Sequence, residues 1–492
     1  MLFNSFHFLI FFPTVVCVYY LLPQQFRWMF LLAASCIFYM AFIPIYILVL
    51  FTTIIIDYTA ALFIERSQGE QRRIYLIISI ISTCLVLFIF KYFNFFNANM
   101  GYLAHFLHWN YPVKSLSLIL PIGLSFHTFQ SLSYVVEVYR GNQKAERHFG
   151  IYALYVMFFP QLVAGPVERP QNLLHQFYER HHFNYDSFTD GLKLIVWGLF
   201  KKVVIADRLA VLVNTVYGDP SKFPPAAHLL ATFFFAFQIY CDFSGYSDIA
   251  IGCAQSLGFK LMDNFNRPYF SKSVAEFWKR WHISLSTWFK DYVYIPLGGN
   301  RVSRQKLYYN LIITFLLSGL WHGANWTFII WGLLNGFYMI FSIMTREWRD
   351  KWAEKTGLVH LPDLRKYLSV SITFLLICFS WIFFRSANLS DALIMVKSVG
   401  IVLGQIVTFN FQFMSDLKNH IFEWGLTSYE LFLVSGALIF MEFIHVIQSH
   451  GAIRHMLRTK PTWYRWMVYF ILIYSVIVLG KFDQLKFIYF QF

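Results

Sequence analysis

Two histidines occupy settings where an ionisable group needs a reason to be. His322 lies near the middle of a 39-residue run, residues 307–345, that contains no Asp, Glu, Lys or Arg. Its local sequence is LLSGLWHGANW. A continuous helix of that length would extend about 58 Å, roughly twice the hydrocarbon thickness of a bilayer. The run must therefore bend, and Gly319, Gly323 and Asn325 mark the place beside the histidine. Neutral imidazole takes up a proton near physiological pH and costs less to bury than a permanent charge. The run offers no second His, Cys, Asp or Glu, so an ordinary metal site is not expected. No GxSxG, phosphate-binding loop or dinucleotide motif stands in a suitable context. Proton abstraction from a substrate hydroxyl is the chemistry left to a lone base, and a histidine that only ties two helices together is the alternative.

His282 sits in SKSVAEFWKRWHISLSTWFKDYVYIPLGGNR, residues 271–301. From residue 272 to 306 there are seven basic side chains against two acidic ones, with aromatic residues interleaved. That pattern fits a helix lying in the membrane interface. It fits equally a cationic mouth for an anionic cytosolic cofactor, with Trp278, Lys279, Arg280 and Arg301 as its candidate contacts. Upstream, YCDFSGYSDIAIG places Asp242, Ser244 and Asp248 within an apolar, helix-length stretch. Polar groups at that depth normally face an interior or a wet path, so these three and Asn325 are expected to line a cavity. A helix end in the headgroup zone is the competing reading.

The elements that must hold these residues follow from composition. Of 492 residues 13% are charged, 58% hydrophobic and 21% aromatic, against about 25% charged in an ordinary soluble protein. Such a chain cannot cover itself in water, and it has too many apolar side chains to be disordered. Charge-free runs at residues 1–26, 28–56, 115–136, 307–345 and 367–384, with shorter ones at 74–90, 223–241 and 466–480, predict an all-α polytopic membrane protein of about ten or more spanning helices plus re-entrant segments. The first run lacks a basic start and a cleavage site, so it is expected to be retained. The net charge of +14 is read as positive-inside loops rather than nucleic-acid binding. The six cysteines stand singly and read as core residues.

Loop charges set an expected orientation. With the N-terminus outside, inner loops hold seven basic residues (Arg27, Arg66, Arg72, Arg73, Arg140, Lys144 and Arg147) and outer loops, including residues 91–114, hold two. The basic stretch 279–306 then faces the cytoplasm. FFPQLVAGPVERP, residues 158–170, should break a helix, giving either a re-entrant segment or a surface loop. Residues 346–366 carry both signs of charge, with Trp348 and Trp352 on one face as for an interfacial helix. A single membrane domain, 1–492, is expected, with core motifs within 120–345 and C-terminal helices over 367–492.

Together RWHISLSTWFKDYVYIPLGGNR and SGLWHGANWTFIIWGLLNG resemble the membrane-bound O-acyltransferase family, in its bacterial branch of alginate and peptidoglycan O-acetylation proteins. LPIGLSFHTFQSLSYVVEVYRG, FFPQLVAGPVERP, YCDFSGYSDIAIG, NFNRPYFSKSVAEFWKRWH and SWIFFRSANLSDA extend the resemblance over most of the chain. It implies a helical funnel, with His322 as the catalytic residue and His282 as its usual second member. It also implies a cytosolic thioester donor, acetyl-CoA or an acyl carrier protein, with no permanently bound cofactor. In that branch the polysaccharide lies outside the cytoplasmic (inner) membrane. The resemblance thus implies relay of the acyl group to an extracytoplasmic SGNH-type partner transferase.

A thioester is already activated, so catalysis consists mainly of making the acceptor hydroxyl nucleophilic and stabilising the oxyanion. His322 is the expected base. His282 is left with three roles: orienting the donor, polarising the carbonyl or shuttling the proton. The alternatives are D-alanyl transfer to teichoic acid from a carrier protein, and a non-enzymatic transporter or scaffold of an exopolysaccharide export complex.

Overall fold

The computed structural model describes residues 1–451, 453–482, 487 and 488, and among these every regular element is helical. Among the described residues, eight helices are long and apolar enough to cross a membrane. The chain divides into two compact units, Met1–Ile195 with Tyr246–Asp263, and Val196–Gly245 with Asn264–Phe492.

The first unit holds α1 (Phe6–Leu21), α2 (Gln24–Met40), α3 (Tyr46–Arg66), α4 (Gly69–Phe106, with a π turn at Phe88–Tyr92), α5 (Leu124–Arg140) and α6 (Phe149–Met157). Two expectations change here. The outer loop placed at 91–114 is helical as far as Phe106, so Lys91 belongs to a helix. The charge-free run 115–136 becomes helical only at Leu124, because Pro121 precedes and Gly123 adopts φ +78°, a backbone position that favours glycine.

The Pro-Gly segment after α6 is not a surface loop. Phe158, Phe159, Val163, Ala164 and Val167 are buried, and Tyr155 Oη donates to the Glu168 carbonyl at 2.9 Å. Irregular backbone at membrane depth persists where protein satisfies its polar groups. The unit also buries Asp57 of α3, whose carboxylate accepts hydrogen bonds from Ser79 at 2.7 Å and Thr83 at 3.0 Å, both on α4.

α7 (Tyr185–Leu199) leads through a π segment, Phe200–Ala206, into α8 (Asp207–Gly218). α9 (Pro225–Ser256) follows; its residues up to Gly245 belong to the second unit. That unit continues with α10 (Val274–Arg280), α11 (Ile283–Phe289), α12 (Arg304–His322), α13 (Trp326–Met344), α14 (Arg346–Lys355), α15 (Pro362–Arg385), α16 (Leu389–Val407), α17 (Gln412–His420), α18 (Ser428–Ile447) and α19 (Thr462–Leu479).

The long charge-free run breaks at the expected place. α12 ends on His322 and α13 starts at Trp326. Three glycines let the two arms close. A Cβ on Gly319 would lie 2.3 Å from the Phe328 carbonyl oxygen, one on Gly332 would lie 2.4 Å from that of Phe315, and one on Gly323 would strike the Phe328 ring at 2.1 Å. Lipid gives helices little hydrophobic reason to associate, so such close backbone packing supplies the attraction.

Candidate functional site

His322 is the last residue of α12, where the chain leaves the helix towards the start of α13. The residue is 6% exposed. Three aromatic rings meet it near-perpendicularly: Trp321 at 4.8 Å between centroids, Trp331 of α13 at 4.9 Å and Phe384 of α15 at 5.2 Å. The setting is apolar, with perpendicular ring contacts that are the favoured aromatic geometry. Asn325, expected to line a cavity, has two structural duties. Its Oδ1 accepts the Thr327 N–H at 3.1 Å and so caps α13, and its Nδ2 donates to the Ala387 carbonyl at 2.8 Å.

His282 occupies the break between α10 and α11 with φ +43°, a left-handed conformation that is uncommon for a side-chain-bearing residue. The break is stitched to residues 264–266, since Ile283 N donates to the Asn264 carbonyl and Asn266 N to the Arg280 carbonyl, both at 2.9 Å. Asn264 then fixes the imidazole. Its Oδ1 lies 3.0 Å from His282 Nδ1, and it also receives the Ser284 Oγ–H at 2.9 Å and the Ser284 N–H at 3.3 Å. A carbonyl oxygen only accepts, so Nδ1 carries the proton and Nε2 is the basic nitrogen. His282 lies outside the eight spanning helices, and burial pushes it down to about 3. The ring is therefore neutral at physiological pH. Trp321 approaches both histidines, 6.3 Å from His282 between centroids.

The remaining candidates separate. Trp278 turns inward against Phe315 and Trp331, each at 5.6 Å. Lys279 and Arg301 are exposed, and Arg280 is half-buried with its guanidinium paired to Glu276 at 2.6 Å. Asp242 and Ser244 are buried with basic partners absent from the candidates. Lys202 of the π segment pairs with Asp242 at 2.5 Å and with Asp207 at 2.8 Å, while Lys201 donates to Ser244 at 2.9 Å. The second Asp242 oxygen accepts the Ile488 N–H at 2.8 Å. Gly245 permits this approach, since a Cβ there would lie 2.7 Å from the Gly198 carbonyl oxygen. The signal was the adjacent Lys201 and Lys202 in an apolar stretch, which buried carboxylates nearby would compensate. Asp248 lies in the part of α9 that belongs to the first unit and is half-buried.

Residues 148–384 match the model of the membrane-bound O-acyltransferase family. The chain is 40% identical over 397 residues to a probable alginate O-acetylase AlgI of Pseudomonas aeruginosa, covering 80% of this chain and 73% of that protein. It is 37% identical over 398 residues to a peptidoglycan O-acetyltransferase of Helicobacter pylori, covering 75% and 73%. A teichoic acid D-alanyltransferase of Bacillus subtilis is 28% identical over 292 residues, covering 54% and 69%.

Proposed function

This chain belongs to the membrane-bound O-acyltransferase family and is a multi-pass membrane O-acyltransferase, and from that premise we propose that it takes an acetyl group from a cytosolic thioester and delivers it for O-acetylation of an extracytoplasmic polysaccharide. Alginate and peptidoglycan are the polymers in the names of relatives at 40% and 37% identity. The lower identity and coverage of the teichoic acid relative weigh against D-alanyl transfer.

His322 is the general base in this reading. It takes the proton of the acceptor hydroxyl as that oxygen attacks the thioester carbonyl carbon, and returns it to the departing thiolate. The observation that carries the assignment is its position, a buried imidazole at the only break in a 39-residue charge-free run. His282, neutral and held in one tautomer by Asn264, is suited to orient or polarise a reactant through Nε2. The donor is acetyl-CoA or an acetylated acyl carrier protein, approaching from the side of Lys279 and Arg301. The protein acts in the bacterial inner membrane, and an extracytoplasmic SGNH-type transferase completes the modification of the polymer.

The test is polymer acetylation in cells carrying His322→Ala, with membrane abundance measured in parallel. Loss of a positioned base lowers the rate by about 10²- to 10⁴-fold. Near-normal acetylation by a well-accumulated variant would remove His322 from the mechanism and favour a scaffold role.

A further inference from the structure

One face of α13 buries polar groups that nothing among the described residues answers. Thr327, Trp331 and Asn335 are spaced four residues apart, so they stack along a single helix face. Each is at most 1% exposed. Each also keeps a polar atom without a hydrogen-bond partner among the described residues: Thr327 Oγ1, Trp331 Nε1 and Asn335 Oδ1. Trp278 of α10, whose ring lies 5.6 Å from that of Trp331, likewise has an unpartnered buried Nε1. Buried donors and acceptors are nearly always paired, because leaving one unmade is costly. Three in register on one face, with a fourth on the facing helix, form a surface built for a polar guest.

The location says which guest. Trp331 is in ring contact with His322, 4.9 Å between centroids and 87° between planes. The two tryptophans offer N–H donors and no acceptor, in an apolar surround where a hydrogen bond to a developing negative charge is strong. The reaction assigned to this site develops that charge on the thioester carbonyl oxygen.

We propose that the indole N–H groups of Trp331 and Trp278 bind the carbonyl oxygen of the acyl thioester and stabilise the oxyanion formed from it. The inference rests on the thioester reading of the site given above. In the step, the acceptor oxygen forms a bond to the carbonyl carbon and its proton passes to His322. The carbonyl π pair moves onto the oxygen held by the two indoles. The pair then returns, the carbon–sulfur bond breaks, and the thiolate takes the proton from His322. No further reactant is needed.

The experiment uses the detergent-solubilised full-length protein and two pantetheine probes, since that arm is common to CoA and carrier-protein donors. One probe bears an S-acetonyl group, which keeps a carbonyl. The other bears an S-ethyl group, which has none. Wild type is expected to bind the ketone at least about tenfold more tightly, and Trp331→Phe and Trp278→Phe, which keep a ring and lose the N–H, are expected to erase that preference. In turnover the same variants are expected to lose about 10²- to 10³-fold in kcat with KM changed little. A thermal melt on each variant shows that it is folded, and equal loss of both probes by a folded variant overturns the assignment. A preference that survives both substitutions overturns it too, while leaving the thioester reading intact. Wild type that binds neither probe and accepts no thioester overturns that reading and the inference with it.

Discussion

Asn264 Oδ1 stands 3.0 Å from His282 Nδ1, and that single contact decides which nitrogen of the histidine is basic. The two Ser284 donors on the same oxygen hold the amide in place, so the acceptor that sets the tautomer is itself fixed.

Asn264→Leu removes the acceptor while roughly preserving size, and it releases His282 to either tautomer. Acyl transfer is expected to fall by at least about tenfold, as when the partner that orients a functional histidine is lost. Asn264→Asp keeps an acceptor at the position and should retain more activity than the leucine variant. Kinetics on the two purified variants check this, and equal activity in all three proteins would show that the tautomer is irrelevant.

Lys202 neutralises two buried carboxylates, so Lys202→Met removes the cation that Asp207 and Asp242 share. Breaking a buried ion pair in this way costs about 3–5 kcal/mol. The expected result is poor accumulation in membranes, relieved in the triple variant that adds Asp207→Asn and Asp242→Asn. Immunoblots of membrane fractions and melting curves read the outcome, and normal accumulation by the single variant would refute the account.

Loop charge predicts that the segment just before Gly123 and residues around Ser303 lie on opposite sides of the membrane. In a background with all six cysteines replaced, Ser117→Cys should react with an impermeant thiol reagent in intact cells. Ser303→Cys should react only after permeabilisation. Strong outside labelling at position 303 would reverse the orientation and with it the cytosolic approach of the donor.

The break beside His322 was legible because length and punctuation agreed: 39 charge-free residues cannot form one spanning helix, and glycines mark where they part. Chemistry carried by pairs distant in sequence was less visible. Asn264 and His282 are 18 residues apart, each outside a regular helix and with α10 between them, so no periodicity connects them. Lys202 and Asp242 lie 40 residues apart and become partners only through a π segment, a geometry no hydrophobic pattern announces. Residues 115–123 depart from the expected span for a local reason. An apolar run reads as a span, but the Pro121 and Gly123 within it delay the helix.

The glycine contacts between α12 and α13 also have a mechanical meaning. Backbone touches backbone at Gly319 and Gly332, with no compressible layer of side chains between, so the hairpin behaves as one strut. Helices meet a change in bilayer thickness chiefly by tilting, and a strut tilts without splaying. His322 at its bend and Trp331 on its second arm then move as a single piece. The spacing between them is insulated from changes in bilayer thickness, and the enzyme can work in a membrane whose thickness it does not control.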